Sequence, residues 1–368
     1  MNRAYVAADR MTGFLDDEQE RAMSIEQRQL KGTGPLLNPD GSLSDIGWAR
    51  QPLLDCNLEK AGFYRLRFLQ PLRIKRWDYY GITTTSHFYS FTLSDLGYLQ
   101  MVFAYVVDFS ERSHHEETLT LPPGAGVHLP RNSVQGESQF DNKKVRLAFR
   151  AEENSRHLEV DWPGFGGKGL KADVRLSLPA GHETMTIVTP IKGKRFYYNC
   201  KINCIPAAGW IENQGKITNL TPDTCLGNLD WGRGVWEYHS FWVWSTASGF
   251  LPDGRRVGLN LGYGFGDTYA ATENAILLEG KVHKLGQVTT IYDPHNLSAP
   301  WIFRSPEERL TLRFTPFYER VAKTDFKLLG SEVHQLFGKF QGTIQSDDGE
   351  TIEINNLTGS TEEHHARW

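Results

Sequence analysis

Cysteine is scarce in this chain, with 4 among 368 residues. Cys56, Cys200, Cys204 and Cys225 are too few and too irregularly spaced for a disulfide framework in a chain of this length, so reduced thiols are expected. Cys200 and Cys204 lack a second ligand pair at zinc-like spacing, which favours ordinary thiols over a metal site. No motif in the sequence predicts a metal ion or another cofactor.

The chain also has neither an excess of one charge nor a long apolar run. Its 40 Lys and Arg residues face 44 Asp and Glu residues, for a formal net charge of -4, so nucleic acid is not expected as a partner. The polar clusters at 114–117 and 362–365 are interpreted as solvated charge. The longest apolar stretches, such as residues 99–107, are shorter than the roughly 18 residues that a membrane helix needs. Because residues 1–29 are polar and acidic, unlike a secretory signal, we expect a cytoplasmic protein without integral membrane association.

Helical patterns are almost confined to residues 16–31, which are rich in Glu, Gln, Arg and Met. From residue 35 onward, short runs of β-branched and aromatic residues are separated by Gly, Pro, Asn and Asp. Asp-Gly or Glu-Gly pairs at 253–254, 279–280 and 348–349 predict tight turns between strands. The sequence therefore predicts an all-β fold with a short N-terminal helix.

A weak internal repeat divides the β-rich region in two. Trp-Asp-Tyr at 77–79 recurs as Trp-Glu-Tyr at 236–238, and the pattern at 209–221 recurs at 342–358, in the same order. Such a duplication predicts two successive antiparallel β-barrels. The expected organisation is an N-terminal helical extension at 1–34, a first β-barrel-like domain at 35–232 and a second at 233–368.

The densest group of candidate residues lies at 228–244, a segment with four of the 10 Trp residues. If this segment is one strand, its side chains alternate between two faces. The aromatic face carries the candidate substrate-binding residues Trp236, Tyr238, Trp242 and Trp244. The other face carries the candidate catalytic residues Glu237 and His239, close enough together to act on one ligand.

Asp230, Trp231 and Arg233 lie at the predicted junction of the two domains, where clefts commonly bind ligands. Asp230 is therefore a candidate catalytic acid, and Trp231 and Arg233 are candidate substrate-binding residues. The alternative is that Asp230 and Arg233 form an ion pair that fastens the two units together, with Trp231 as packing.

A second group of candidates surrounds Glu273. Glu273 and Asn274 precede a predicted hairpin whose return strand carries His283. A buried Glu in an apolar, aromatic setting has a raised pKa and can serve as a general acid; the alternative is a solvated residue at the end of a strand. Trp301 is a further candidate, either for an aromatic pocket or for ordinary core packing.

Five ordered segments carry a resemblance to a known family. They are residues 75–78 (Lys-Arg-Trp-Asp), 229–234, 272–275 with 280–285, 300–301 (Pro-Trp) and 337–342. On these motifs the chain is identified as a member of the bacterial family catalogued as domain of unknown function 2804, from about residue 35 to the last residue. The resemblance brings no activity that can be transferred to this chain.

The expected architecture is more distantly similar to the two lipocalin-like barrels of carotenoid hydratase, AttH-like and fungal pericyclase-like proteins. That resemblance implies an aromatic-lined pocket in or between the barrels, and acid-catalysed hydration or cyclisation. No catalytic residue of those proteins matches a motif of this chain, and a shared fold does not fix a function.

The leading functional hypothesis is an enzyme in which a carboxyl group protonates, hydrates, cyclises or isomerises an unsaturated small molecule. Asp230 or Glu273 would be the acid, with His239 or Glu237 as its partner. The second hypothesis is a glycoside-acting enzyme, with carboxyl groups about 5 to 5.5 Å apart in a retaining pair or about 6.5 to 9.5 Å apart in an inverting one. The third is a non-catalytic carrier of a lipid or another apolar ligand, whose lumen would be lined only by apolar and aromatic side chains.

Overall fold

The computed structural model describes residues 27–325 and 327–368. Most of the predicted N-terminal helix at 16–31 therefore lies outside the described residues. Its last part, residues 27–31, is not helical, so the helix predicted there is wrong, and Gln29 forms an isolated parallel bridge with Trp48.

The helices of the described residues are short 3-10 turns. They lie at Leu58–Lys60, Arg67–Arg73 and Phe165–Gly167. No helix in this part of the chain has the length and apolar character to cross a membrane. Strands account for the rest of the regular structure, beginning with a small parallel pair of β1 (Gly34–Pro35) and β3 (Leu54–Asp55).

A 13-stranded sheet forms the first half of the molecule. Its strands are β2 (Gly47–Ala49), β4 (Lys75–Thr83), β5 (His87–Asp95), β6 (Gln100–Asp108), β7 (Ser113–Leu121), β8 (Gly136–Asp141), β9 (Arg146–Glu152), β10 (Ser155–Trp162), β11 (Leu170–Ser177), β12 (Met185–Ile191), β13 (Arg195–Asn213), β14 (Lys216–Leu220) and β15 (Leu226–Val235). The main path runs β7-β6-β5-β4-β15-β13-β11-β10-β9-β8. Off this path, β12 pairs with β13 and β2, and β14 pairs with β13.

A 9-stranded sheet forms the second half. Its strands are β16 (His239–Phe250), β17 (Arg256–Tyr263), β18 (Ala275–Leu278), β19 (Lys281–Lys284), β20 (Thr289–Ile291), β21 (Trp301–Arg304), β22 (Leu310–Asp325), β23 (Gly330–Gln345) and β24 (Thr351–Arg367). Their order is β19-β18-β17-β16-β24-β23-β22-β21-β20. The chain passes from the first sheet to the second over residues 236–238, whereas the domain boundary expected between 232 and 233 lies inside β15.

Both sheets are antiparallel and curled into half-barrels, so the predicted all-β class with two successive barrel-like units is confirmed. The predicted hairpin at Glu279 and Gly280 is confirmed as well, because these two residues join β18 to β19 with φ angles of 49° and 77°. Positive φ at both central residues belongs to the type I′ turn, whose twist matches that of the flanking strands.

Each half-barrel has its own hydrophobic core. Tyr80, Phe149 and Trp231 lie in the core of the first, and Trp301 and Phe314 lie in the core of the second. Because side chains alternate along a strand, the other residues of the central strands point to the opposite faces of the two sheets. Those opposite faces meet between the half-barrels.

The junction between the half-barrels is itself partly apolar. Phe88, Tyr105 and Val107 of the first sheet form a buried cluster with Phe337 of the second. The ring centroids of Phe88 and Phe337 are 5.2 Å apart. This contact borders the cavity that holds the candidate site.

All four cysteines are buried and free. Burial raises the pKa of Cys56 and of Cys204 to about 12, which removes their reactive thiolate form at neutral pH. We expect the native protein to react with Ellman's reagent at least about 100-fold more slowly than the unfolded chain. Absorbance of the released thiolate, followed in buffer and in denaturant, measures the two rates, and prompt release of one equivalent from native protein would contradict the prediction.

Candidate functional site

A cavity of about 720 Å³ lies between the two half-barrels. A pocket of this volume holds a drug-sized organic molecule. Each sheet lines it with a row of cross-strand neighbours. The row of the first sheet is Lys201, Asp230, Tyr79, Thr92 and Phe103. The row of the second sheet is Trp244, Glu362, Gln335 and Arg320.

Lys201 brings a positive charge between two carboxyl groups of this cavity. Its Nζ lies 3.0 Å from Glu273 Oε2 and 3.7 Å from Asp230 Oδ2. It also lies 3.9 Å from the ring centroid of Trp244. The lysine side chain is only 5% exposed, so these neighbours replace water around the ammonium group. One buried ammonium group is thus the counter-charge of two carboxyl groups.

Asp230 is nearly buried, with 9% of its surface exposed. Asn199 Nδ2 donates a hydrogen bond to its Oδ1 at 2.6 Å. Burial raises the pKa of Asp230 and the charge of Glu273 adds to that rise, whereas Lys201 and Asn199 offset part of it. Asp230 is therefore a carboxyl group that holds its proton to a higher pH than an ordinary Asp.

Glu273 reaches the cavity from the loop before β18. Asn260 Nδ2 donates to its Oε2 at 3.1 Å, and Trp244 Nε1 donates to Asn260 Oδ1 at 2.8 Å. Gly262 leaves room for the carboxyl group, because a Cβ at this position would lie 2.1 Å from Glu273 Oε1. A larger residue at 262 would push Glu273 away from Lys201.

Glu362 supplies a third carboxyl group, from β24. Trp242 Nε1 donates to its Oε1 at 2.9 Å. Burial raises the pKa of Glu362, and the bond from Trp242 and the charges of Lys201 and Arg320 lower it only in part. Asp230 and Glu362 thus both have raised pKa values and face one cavity.

Proton transfer is the chemistry that these groups can supply. Asp230 and Glu362 can donate or accept a proton at a higher pH than ordinary carboxyl groups, because burial raises the pKa of both, and the ammonium group of Lys201 lies beside Asp230. Within residues 27–325 and 327–368, no group of three or more His, Cys, Asp and Glu side chains is arranged to hold a metal ion.

Trp236 is the centre of an aromatic wall of the cavity. Its ring centroid lies 4.9 Å from that of Trp77, 5.3 Å from Phe265 and 5.4 Å from Trp368. Gly232 permits this packing, because a Cβ there would lie 2.1 Å from the Trp77 ring. The faces of aromatic rings carry negative potential and stabilise positive charge. The wall therefore suits an unsaturated molecule and a cation formed from it.

A chain of hydrogen bonds links the two half-barrels across the cavity. The hydroxyl oxygens of Tyr79 and Tyr105 are 2.8 Å apart, and Tyr105 donates to Gln335 Oε1 at 2.9 Å. Arg320 Nη1 donates to the same oxygen at 3.3 Å, and Arg320 Nη2 lies 2.7 Å from Glu116 Oε2. Burial raises the pKa of both tyrosines, so they remain donors. The chain fixes the two rows of lining residues relative to each other.

His364 lines the cavity from β24, beside the aromatic wall. Its ring centroid is 3.9 Å from that of Trp242, and its Nε2 is 2.8 Å from the hydroxyl of Ser331. Burial lowers the pKa of His364 to about 3. The imidazole is therefore neutral over the physiological range of pH.

Acidification is expected to destabilise the fold through His364. Its pKa is 6.5 when unperturbed and about 3 in the folded state, so the unfolded chain binds the extra proton as the pH falls. The contribution of His364 is complete above pH 6.5 and is lost towards pH 3, by at most about 1.4 kcal/mol per pH unit. His364→Gln should reduce this slope, measured from urea midpoints over the acid range, whereas H295Q at the exposed His295 should leave it intact. Equal slopes in wild type and His364→Gln would contradict the prediction.

The structure brings five of the residues predicted from the sequence to this cavity. They are Asp230, Glu273, Trp236, Trp242 and Trp244. They come from both sheets and from the loops beside them, so the sheets must fold and pack before the site exists. The roles of these residues stay predictions.

Other predicted residues lie away from the cavity. Trp231 and Trp301 are in the cores of the two half-barrels. Asn274 is buried, and its Oδ1 accepts a backbone N–H of β17 at 2.8 Å. His283 accepts the backbone N–H of Asp347 at 2.9 Å. These four side chains hold the scaffold together.

The single strand predicted over 228–244 is wrong, because β15 and β16 are separate strands that belong to different sheets. Alternation therefore does not continue across the connection. Trp242 and Trp244 do share the cavity face of β16. Glu237, Tyr238 and His239, which the sequence also predicts as site residues, are exposed and lie outside the cavity.

The predicted ion pair between Asp230 and Arg233 is wrong, since the two residues point to opposite faces of β15. Arg233 is 1% exposed, and its Nη2 lies 2.8 Å from Asp78 Oδ1. Its Nη1 donates to the carbonyl oxygen of Trp77 at 2.7 Å, and its guanidinium lies 4.1 Å from the Trp231 ring centroid. Arg233 is thus buried within the first half-barrel.

Sequence reasoning missed the contribution of β24. Residues 362–365 are not solvated charge as predicted, because Glu362 and His364 line the cavity and Glu363 is 7% exposed. In the other polar cluster, Glu116 pairs with the buried Arg320. Charged residues on both faces of one strand are the signal that could have found these residues. That signal is informative only once both faces of the strand are known to be covered.

Three comparisons relate the chain to known proteins. A family model described as Domain of unknown function (DUF2804) matches residues 27–368, and a search of the curated proteins finds no match. Among solved structures, an AttH-like protein of Nitrosomonas europaea is 13% identical with a TM-score of 0.44, over 79% of this chain and 92% of its own. Kievitone hydratase of Nectria haematococca is 11% identical with a TM-score of 0.45, over 80% of this chain and 88% of its own.

Proposed function

Because the chain belongs to the family described as Domain of unknown function (DUF2804), whose description names no activity, we propose its function from the chemistry of the cavity. The protein is an enzyme that uses carboxyl groups as general acid and base to hydrate, cyclise or isomerise an unsaturated small molecule. The observation that carries this proposal is the pair of buried carboxyl groups with raised pKa values, Asp230 and Glu362, beside Lys201 and an aromatic wall.

The reaction begins with proton transfer from Asp230. In a hydration, the Asp230 carboxyl gives its proton to one carbon of the alkene, and the other carbon becomes cationic. The aromatic wall centred on Trp236 stabilises that charge. Water adds its oxygen to the cationic carbon and passes a proton to the carboxylate of Glu362. Return of a proton from Glu362 to Asp230 through solvent restores the starting state, so atoms and charge balance.

Lys201 and Glu273 prepare Asp230 for this role. Glu273 is the nearer partner of the Lys201 ammonium, at 3.0 Å against 3.7 Å for Asp230. The lysine charge is therefore shared unequally, and Asp230 receives less of it. Because Asp230 is nearly buried, that inequality favours its protonated form and makes it the donor.

A glycoside-acting enzyme is the second candidate. Asp230 and Glu273 lie beside the same lysine in a cavity lined by Trp rings, on which sugar rings stack. The carrier hypothesis requires a lining of apolar and aromatic side chains only. Four carboxyl groups, those of Glu116, Asp230, Glu273 and Glu362, line the cavity together with Lys201 and favour an enzyme over a carrier.

Substrate identification tests the proposal. Native mass spectrometry of the purified protein reveals any retained molecule. A panel of conjugated alkenes and aryl glycosides is then screened for binding by quenching of the fluorescence of the five cavity Trp residues. Products are followed by liquid chromatography and mass spectrometry. A product heavier by one water, or an isomer of unchanged mass, is the expected result. Release of a sugar would favour the glycoside-acting enzyme, and binding without any product would favour the carrier.

A further inference from the structure

An apolar surface lies on the 3-10 helix at Arg67–Arg73 and the residue before it. Leu66, Phe68 and Leu72 are exposed, Phe68 by 74%. Three large apolar side chains within seven positions form a patch, unlike the scattered apolar residues that every protein surface carries. Such a patch marks a surface that contacts something other than water.

The same segment is basic. Arg65 and Arg67 are exposed beside the apolar side chains, and Arg73 follows at the end of the helix. None of the three has an ion-pair partner within residues 27–325 and 327–368, whereas Arg76, just beyond them, is paired with Asp95. Arg73 instead donates to the hydroxyl of a neighbouring tyrosine at 3.1 Å. The surface therefore combines apolar side chains with uncompensated positive charge.

The backbone of this segment is fixed from inside. Gln70 is buried, and its Oε1 accepts the backbone N–H of Phe63 at 2.9 Å and that of Tyr64 at 3.4 Å. These hydrogen bonds fix the backbone that carries the exposed apolar side chains.

The segment borders the cavity. A Cβ on Gly97 would lie 2.4 Å from the carbonyl oxygen of Pro71, so the helix packs directly on the turn between β5 and β6. The residues of that turn on either side of Gly97, namely Leu96, Tyr98 and Leu99, line the cavity. A molecule held against the apolar surface is therefore adjacent to the rim of the site.

We propose that Leu66, Phe68 and Leu72, together with Arg65 and Arg67, form a docking surface for a lipid bilayer that contains anionic lipid. Apolar side chains enter the boundary between headgroups and acyl chains, and arginines pair with anionic headgroups. The class of substrate is then an apolar molecule that dissolves in membranes. This second statement rests on the proposed function, whereas membrane docking itself does not.

Sedimentation with vesicles tests the docking surface. The full chain is mixed with vesicles of phosphatidylcholine alone and with vesicles that also contain phosphatidylglycerol. We expect binding to the mixed vesicles that weakens with added salt.

R67Q should weaken the binding to mixed vesicles about fivefold, as expected for one arginine at an anionic surface. F68S should weaken it about tenfold or more, because the aromatic ring that would enter the bilayer is lost. I217S, at a residue 63% exposed on β14, is the matched control and should bind as wild type does.

The possible outcomes separate this inference from the proposed enzyme. Equal sedimentation with both kinds of vesicle, or F68S and R67Q variants that bind as wild type does, would overturn the docking surface. Binding of an acidic protein by this surface in the absence of any binding to vesicles would overturn it as well. Asp230→Asn should bind vesicles unchanged, because Asp230 lies inside the cavity. A loss of turnover with vesicle binding retained therefore concerns the enzyme alone.

Discussion

Asp230→Asn is expected to lower turnover by a factor of about 100 to 10,000, the range that a general acid contributes. The amide has nearly the shape of the carboxyl group, and its oxygen can still accept the hydrogen bond from Asn199, but it has no proton to give to the substrate. The measurement is kcat with the substrate identified as above. E237Q, at an exposed carboxyl group outside the cavity, is the matched control and should keep wild-type turnover.

The same substitution should not reduce stability near neutral pH. A carboxyl group with a raised folded pKa contributes its full stability below its unperturbed value of 3.8 and loses it as the pH rises through the folded value. At pH 7 wild-type Asp230 therefore bears a cost that the neutral amide lacks. An unfolding midpoint of Asp230→Asn at or above that of wild type, together with lost turnover, is the expected pattern. Retained turnover in a folded variant would exclude Asp230 as the acid.

Arg233→Ala is expected to lower the free energy of unfolding by about 3 to 5 kcal/mol, the cost of leaving one partner of a buried ion pair alone. Asp78 would lose its counter-charge, at 2.8 Å from Nη2, while staying buried. The carbonyl oxygens of Trp77 and Pro130 would also lose donors, at 2.7 and 3.1 Å. Urea unfolding followed by Trp fluorescence measures the change.

Two variants show whether the buried pair is the cause. Arg255→Ala removes a partly exposed arginine that is also paired with carboxylates, Asp253 and Glu350, and should lower the free energy of unfolding far less, because solvent screens that pair. The double variant D78N with R233M removes both buried charges and should recover part of the loss. A cost for Arg233→Ala no larger than that for Arg255→Ala would contradict the argument.

Local signals account for the part of the fold that the sequence predicts. A turn pair such as Glu279-Gly280 determines the conformation of about four residues, and a period-two pattern describes a single strand. Strands and hairpins can therefore be predicted without knowledge of their neighbours in the sheet. Asp230, Glu273 and the Trp residues near 240 were found in the same way, as acids and aromatic residues close together in the chain.

The remaining site residues depend on strand pairing, which a single sequence does not reveal. Lys201 meets Asp230 because β13 pairs with β15, and Glu362 meets Trp244 because β24 returns to β16. Neither pairing joins strands that follow each other directly in the chain. The prediction of Arg233 as a substrate-binding residue fails for a related reason. The sequence does not show which face of β15 lies in the core of the first half-barrel, where Arg233 pairs with Asp78.

The pairing of β16 with β24 decides what kinds of genetic change this site can tolerate. Trp244 lies opposite Glu362, with Glu363 turned to the other face, where it accepts a hydrogen bond from Tyr292. Deletion of a single residue from β24 before Glu362 would move each later residue of the strand to the opposite face. Glu363 would then replace Glu362 in the cavity. A point substitution can therefore change one lining residue at a time, whereas the gain or loss of a single residue inside β24 would replace the lining of the cavity along the strand.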